Sequence, residues 1–187
     1  MTSSVGIANR ALLKIGANPI LSFSDDSKEA QVISAIFTDI RDATLRLAQW
    51  NFATTRASLA ASVSEPLWGY DNLFPLPSDC VRVIELEDPY ARYKVEGLNI
   101  LTDEDAPLNI KYIKRVTDPN QFDSLFIDTF VLFLAAEMCY GFTGSSSLAG
   151  QLLLEAKAKL KEADLMQSKE DTPDEISFSD DWIFARS

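Results

Sequence analysis

The sequence predicts an α+β fold, mainly α: a four-helix bundle with an antiparallel β lobe inserted between helices two and three, plus an extended C-terminal arm. Three observations predict it. Apolar residues recur at helical spacing over 1–51 and again over 119–167. Between them, 52–118 alternates apolar and polar residues and carries prolines at 66, 75, 77, 89 and 107. From 168 to 187 the chain is polar and acidic.

The first helix is expected to begin near Thr2–Ser4, whose hydroxyls can cap it, with Val5, Ala8, Leu12 and Ile15 on one face. Gly16 is placed to end it, and Pro19 prevents its continuation. After a short loop, Asp26 and Glu29 have capping-box spacing. Ile33, Ile36, Phe37, Ile40, Ala43 and Leu47 then form the apolar face of a long second helix, with Asp39, Arg41, Asp42 and Arg46 mainly opposite. In the middle region, 81–87, 92–96 and 108–114 read as strands, and Gly97-Leu98-Asn99 as a hairpin turn; four or five strands are expected. Phe122 to Tyr140 reads as the most hydrophobic helix, broken at Gly141 and Gly144. A last helix, Leu148 to Met166, turns Lys157, Lys159 and Lys161 to water. The simplest packing of a helix pair, a lobe and a second helix pair is the four-helix bundle.

Composition narrows the function. The 187 residues are 47% hydrophobic, enough for one compact unit with a real core. Cys80 and Cys139 read as buried thiols, because two cysteines in such a chain make no disulfide framework. No signal peptide is recognisable, and the apolar stretch 125–142, interrupted by Asp128 and Glu137, is short for a membrane span. A soluble protein without a membrane partner is expected. The formal charge of −11 leaves no basic patch for holding nucleic acid, but it suits a duct past which DNA must slide, since like charge repels phosphate.

The chain has no histidine, which removes Ser-His-Asp and Cys-His catalysis and most zinc sites. No phosphate-binding glycine loop occurs; Gly141-Phe142-Thr143-Gly144 lacks the lysine and the preceding strand. Carboxylates alone could still cleave a glycoside. The clusters Asp25/Asp26, Glu85/Glu87 and Asp103/Glu104/Asp105 read instead as a cap, a solvated strand face and a turn. The expectation is a protein with no catalytic, metal or cofactor residues. Its arm ends in Trp182, Ile183 and Phe184, an apolar cluster that should dock on something.

Several segments, in order, carry a resemblance. They are Leu13-Lys14-Ile15-Gly16-Ala17-Asn18-Pro19-Ile20; Leu45-Arg46-Leu47-Ala48-Gln49-Trp50-Asn51-Phe52-Ala53 with Arg56-Ala57; Trp68-Gly69-Tyr70 followed by Leu76-Pro77-Ser78-Asp79-Cys80-Val81-Arg82-Val83; and Tyr112-Ile113 followed by Val116-Thr117-Asp118-Pro119. Over about residues 4–166 the chain resembles the tail tubular protein A and head-to-tail adaptor family of short-tailed bacteriophages. None of these segments is catalytic. The resemblance implies a structural protein of the virion, made in the host bacterial cytoplasm. It would form a twelvefold homo-oligomeric ring between the portal protein and the tail nozzle protein, around DNA that passes without sequence-specific binding. Tail fibres or tailspikes can also attach to such rings. It further implies that Trp182, Ile183 and Phe184 bind the portal. Trp50, Phe52, Trp68, Pro77, Asp79 and Arg82 are the expected structural junction between bundle and lobe. The competing expectations are a carboxylate-based wall- or capsule-degrading hydrolase of the tail, and a small packaging factor that binds DNA.

Overall fold

The structure is a computed structural model that describes residues 3–167 and 169–170. The fold is α+β, with four helices and two small antiparallel sheets. Helix α1 (Ser4–Lys14) is capped by the Ser3 hydroxyl, which accepts from the Gly6 N–H, and buries Ile7, Ala8, Ala11 and Leu12. Gly16, at φ +72°, turns the chain away in the left-handed region that side-chain-bearing residues avoid.

Helix α2 (Lys28–Leu47) departs from expectation at two points. Its cap is Ser27, which accepts from the Ala30 N–H at 3.2 Å, whereas Asp26 accepts from the Gln31 amide instead. The predicted faces are also rotated. Arg41 is only 8% exposed, and its guanidinium meets Asp42 at 2.7 Å. Asp42 in turn takes Arg115 at 2.7 Å, so one carboxylate serves two cations and ties the helix to the end of the last strand. Ala43 and Leu47, expected inside, are exposed.

Among the described residues six strands follow, one or two more than expected: β1 (Thr54–Leu59), β2 (Asn72–Pro75), β3 (Cys80–Leu86), β4 (Tyr93–Glu96), β5 (Asn99–Thr102) and β6 (Leu108–Lys114). One sheet has the order β1-β6-β3, the other β2-β5-β4. Glu96 faces Asn99 in register, so Gly97-Leu98 is the two-residue turn that the sequence indicated, with Gly97 at φ +58°. The first sheet touches the helices through Ile113, Val81 and Ile84. Between the sheets lies a smaller core around Phe74, Ile100, Leu59 and Tyr112.

Helix α3 (Ser124–Thr143) is the hub. It packs against α1, α2 and α4 (Ser146–Gln167), while α1 and α2 meet only lightly. It runs through Gly141 without a break and stops at Gly144, φ +67°. Its 20 residues have the length and hydropathy of a membrane span, contrary to the expectation of a short stretch. More than half of that apolar window is buried, among it Phe126, Phe130, Val131, Leu134 and Ala135, so the helix core accounts for the composition. An aromatic chain threads this core. Phe37 meets Phe130 at 5.0 Å, Phe130 meets Phe126 at 5.7 Å, and Phe126 meets Trp50 and Phe52 at 5.1 Å each. Each such pair contributes about 0.5–1.5 kcal/mol beyond the burial of its area.

Candidate functional site

Five of the six expected junction residues lie where the helices give way to the lobe. Trp50 is fully buried, and its indole N–H donates to the Thr44 carbonyl at 3.0 Å. Phe52 packs on Phe122 and Phe126. Pro77 opens a tight turn, closed by the Cys80 N–H on the Pro77 carbonyl at 2.9 Å, that feeds β3. Within that turn Asp79 accepts from the Tyr112 hydroxyl at 3.2 Å, and its carbonyl accepts from the Arg115 N–H at 2.7 Å. Burial first, and the Asp79 charge second, push the Tyr112 phenol up to about 12. Burial likewise pushes the Cys80 thiol above its ordinary value, with Asp79 adding to the shift. Arg82 stands in β3 opposite Ile113, its Nε buried without a hydrogen-bond partner among the described residues.

Trp68 is the exception. Strand β1 leaves the junction at Thr54 and runs away from the helices; the 60–71 loop follows, and β2 returns. Trp68 therefore sits at the far end of the lobe, 85% exposed, in the same loop as the fully exposed Val63 and Leu67. Pro66 cannot donate to a ladder and Gly69 sits at φ +87°, so this segment joins neither sheet and leaves its large side chains in water. Sequence reasoning placed Trp68 at the junction and passed over Val63 and Leu67. Large apolar residues among breakers, in a stretch with no strand alternation, were the available signal.

A second apolar surface lies on the helices. Between α2 and α4, above the open side of α3, runs a groove of about 380 Å³ floored by Phe133 and Ala136. Ile40, Ala43 and Leu47 form one wall, Gly150 and Leu153 the other, and Glu137 is the one charged residue in its lining. The apolar stripe of α2 is wider than its contact with α3 requires, which is why the sequence assigned all of it to the core.

The carboxylate clusters are dispersed among structural partners. Asp25 accepts from the Leu21 and Ser22 N–H groups, Glu85 pairs with Lys111 at 3.1 Å, Glu87 accepts from Asn109, and Asp103 pairs with Arg92 at 3.0 Å. The structure does bring Glu87, Asp88, Glu104 and Asp105 around one cleft of about 180 Å³, a juxtaposition that chain order does not reveal. Among the described residues, no group of three or more Cys, Asp or Glu is arranged to hold a metal ion. Trp182, Ile183 and Phe184 lie outside the described residues. No protein-family model matches the chain, and no curated protein matches it.

Proposed function

We propose that the chain is a structural head-to-tail adaptor of a bacteriophage virion, and not an enzyme. In this reading it forms a ring of twelve copies between portal and tail nozzle, with the four helices acting as a bundle around the DNA channel. The observation that carries it is the loop of Val63, Leu67 and Trp68. Three large apolar side chains this exposed on one loop favour a contact surface, and Leu67 and Trp68 line one shared hollow. The ordered set of adaptor-like segments supports the same reading, as does the net charge of −11, which suits a lumen that must release DNA. The lobe's loop would meet the nozzle, and Trp182, Ile183 and Phe184 the portal, at opposite ends of a head-to-tail chain of rings.

Light scattering after gel filtration tests it, on the chain alone and mixed with a portal protein encoded in the same genome. The expected result is a joint complex far larger than either part, lost when the chain is truncated after Ser168 although the remainder still folds. Undiminished joining by the truncated chain removes the arm from the assignment, and no joining by the full chain removes the adaptor itself.

A further inference from the structure

The groove between α2 and α4 needs an occupant, and the chain carries one. We propose that Trp182, Ile183 and Phe184 of the same chain fill it while the protein is unassembled, so that the groove is a holding site for the arm tip. Three features converge on this.

The first is reach. The arm starts beside the groove's lobe-proximal end: Glu170 accepts from the Asn51 side chain at 2.9 Å, and the Gln167 carbonyl oxygen of the side chain accepts from the Asn51 N–H at 2.7 Å. Leu47, in the groove wall, is four residues before Asn51. From Gln167 back to Leu153 along α4 is about 21 Å at helical rise. The twelve residues from Glu170 to Trp182 extend to about 40 Å, so the span is covered with slack.

The second is chemistry. Ile40, Leu47, Phe133 and Leu153 offer an apolar cleft, and the tip offers a tryptophan, an isoleucine and a phenylalanine in succession. Burying three side chains of this size takes their apolar area out of water, and the tethered start of the arm raises their effective concentration at the groove.

The third is the order of charges. Coming back from Gln167, the arm would pass Asp164 and then Lys161 and Lys157, both lysines exposed and without an ion pair among the described residues, and Lys157 lies one turn beyond Leu153 on the groove side of α4. It would then cross the apolar floor and reach Glu137. The arm reads in the same direction: Asp180 and Asp181, then the apolar triplet, then Arg186. From Lys161 onward, acid, apolar, base is laid against base, apolar, acid.

The assignment goes beyond the adaptor reading and does not require it. Together they make the groove and the portal rivals for one segment, which keeps the tip out of water until a portal competes for it.

Disulfide trapping in the full chain tests the site. Gly150→Cys adds a side chain where nothing lies within 4 Å, and Ile183→Cys places the second thiol in the tip. Cys80→Ser removes the half-buried native thiol, and Cys139 is fully buried. On oxidation, the expected product is a monomer with an internal 150–183 disulfide, its yield falling at least fivefold when Leu153→Asp is added. Cross-links only between chains would assign the groove to a neighbour's arm and overturn the proposal, as would no cross-link at all. A misfolded double-cysteine chain leaves a second measurement: in Trp68→Phe protein, Trp182 should be shielded from acrylamide, and quenching like that of a free indole overturns the site. Portal binding is read separately. If the reduced chain ignores portal while the internal disulfide forms, the adaptor reading falls and the holding site stands.

Discussion

In the helices, Phe37, Trp50, Phe126 and Phe130 are all inside, linked ring to ring through one core. In the lobe, Trp68 and Tyr90 face solvent almost completely, while a smaller core that includes Phe74 and Ile100 holds the two sheets together. The helical half links most of its aromatic rings through one core, whereas the lobe leaves Trp68 and Tyr90 where only a second molecule can cover them. Stability and contact are thus carried by different ends of one chain. Substitutions at the two ends should therefore separate them.

The largest effect should come from Phe126→Ala. Phe126 is fully buried and touches Trp50, Phe52, Phe122 and Phe130, so the change removes the ring on which the aromatic chain converges. A loss of about 3–5 kcal/mol is expected in denaturant unfolding. A loss under about 1 kcal/mol would mean the helical core tolerates the cavity, and the contrast between the halves would collapse.

The junction should reveal itself in alkali. The Tyr112 phenol, raised to about 12 by burial and by Asp79, favours its protonated form in the folded chain relative to an unfolded value near 10. Because the folded value is the higher one, this stabilisation is complete below about pH 10 and disappears as pH rises from about 10 to 12. The two-unit difference corresponds to about 2–3 kcal/mol. Tyr112→Phe should therefore flatten the alkaline fall in melting temperature, and an unchanged fall would show that Tyr112 does not titrate against the lobe's attachment.

Smaller still is the cap of α2. Ser27→Ala should cost about 1 kcal/mol, whereas Asp26→Ala should stay within about 0.5 kcal/mol. Equal costs would return the cap to Asp26.

Much of this architecture was legible because local rules and the fold agree. The 3.6-residue spacing of α1 and α2, the Gly97-Leu98 turn, and strands β3, β4 and β6 follow directly from side-chain pattern. Where the reading missed, a long-range partner decided. Arg41 is inside because Asp42 sits beside it and Arg115, 73 residues on from Asp42, completes the cluster; helical periodicity cannot see that distant arginine. Strand β2 is four residues long and contains Pro75 at its end, too short for alternation to register, and it exists because β5 accepts it. The surfaces were the least legible. Ile40 and Leu47 have the spacing of core residues, and only the absence of close α2–α4 packing leaves them lining a groove. The one local mark of Trp68 as an exposed contact is its place between Pro66 and Gly69, in a stretch without strand alternation.

That exposed loop sets the smallest stability effect and the sharpest test of the comparison. Leu67→Ser with Trp68→Ser removes two side chains that contact water over nearly all their surface, so unfolding free energy should move by less than about 0.5 kcal/mol. The same double change deletes most of the exposed apolar cluster, so joining to the tail nozzle protein should fall at least tenfold while joining to portal persists. If stability drops by 2 kcal/mol or more, the loop is part of the lobe's own core and the division of labour between the two halves is wrong. If stability holds and nozzle joining also holds, the contact surface lies elsewhere on the lobe, and the unpaired edge of β4, Tyr93–Glu96, exposed at every position, is where to look next.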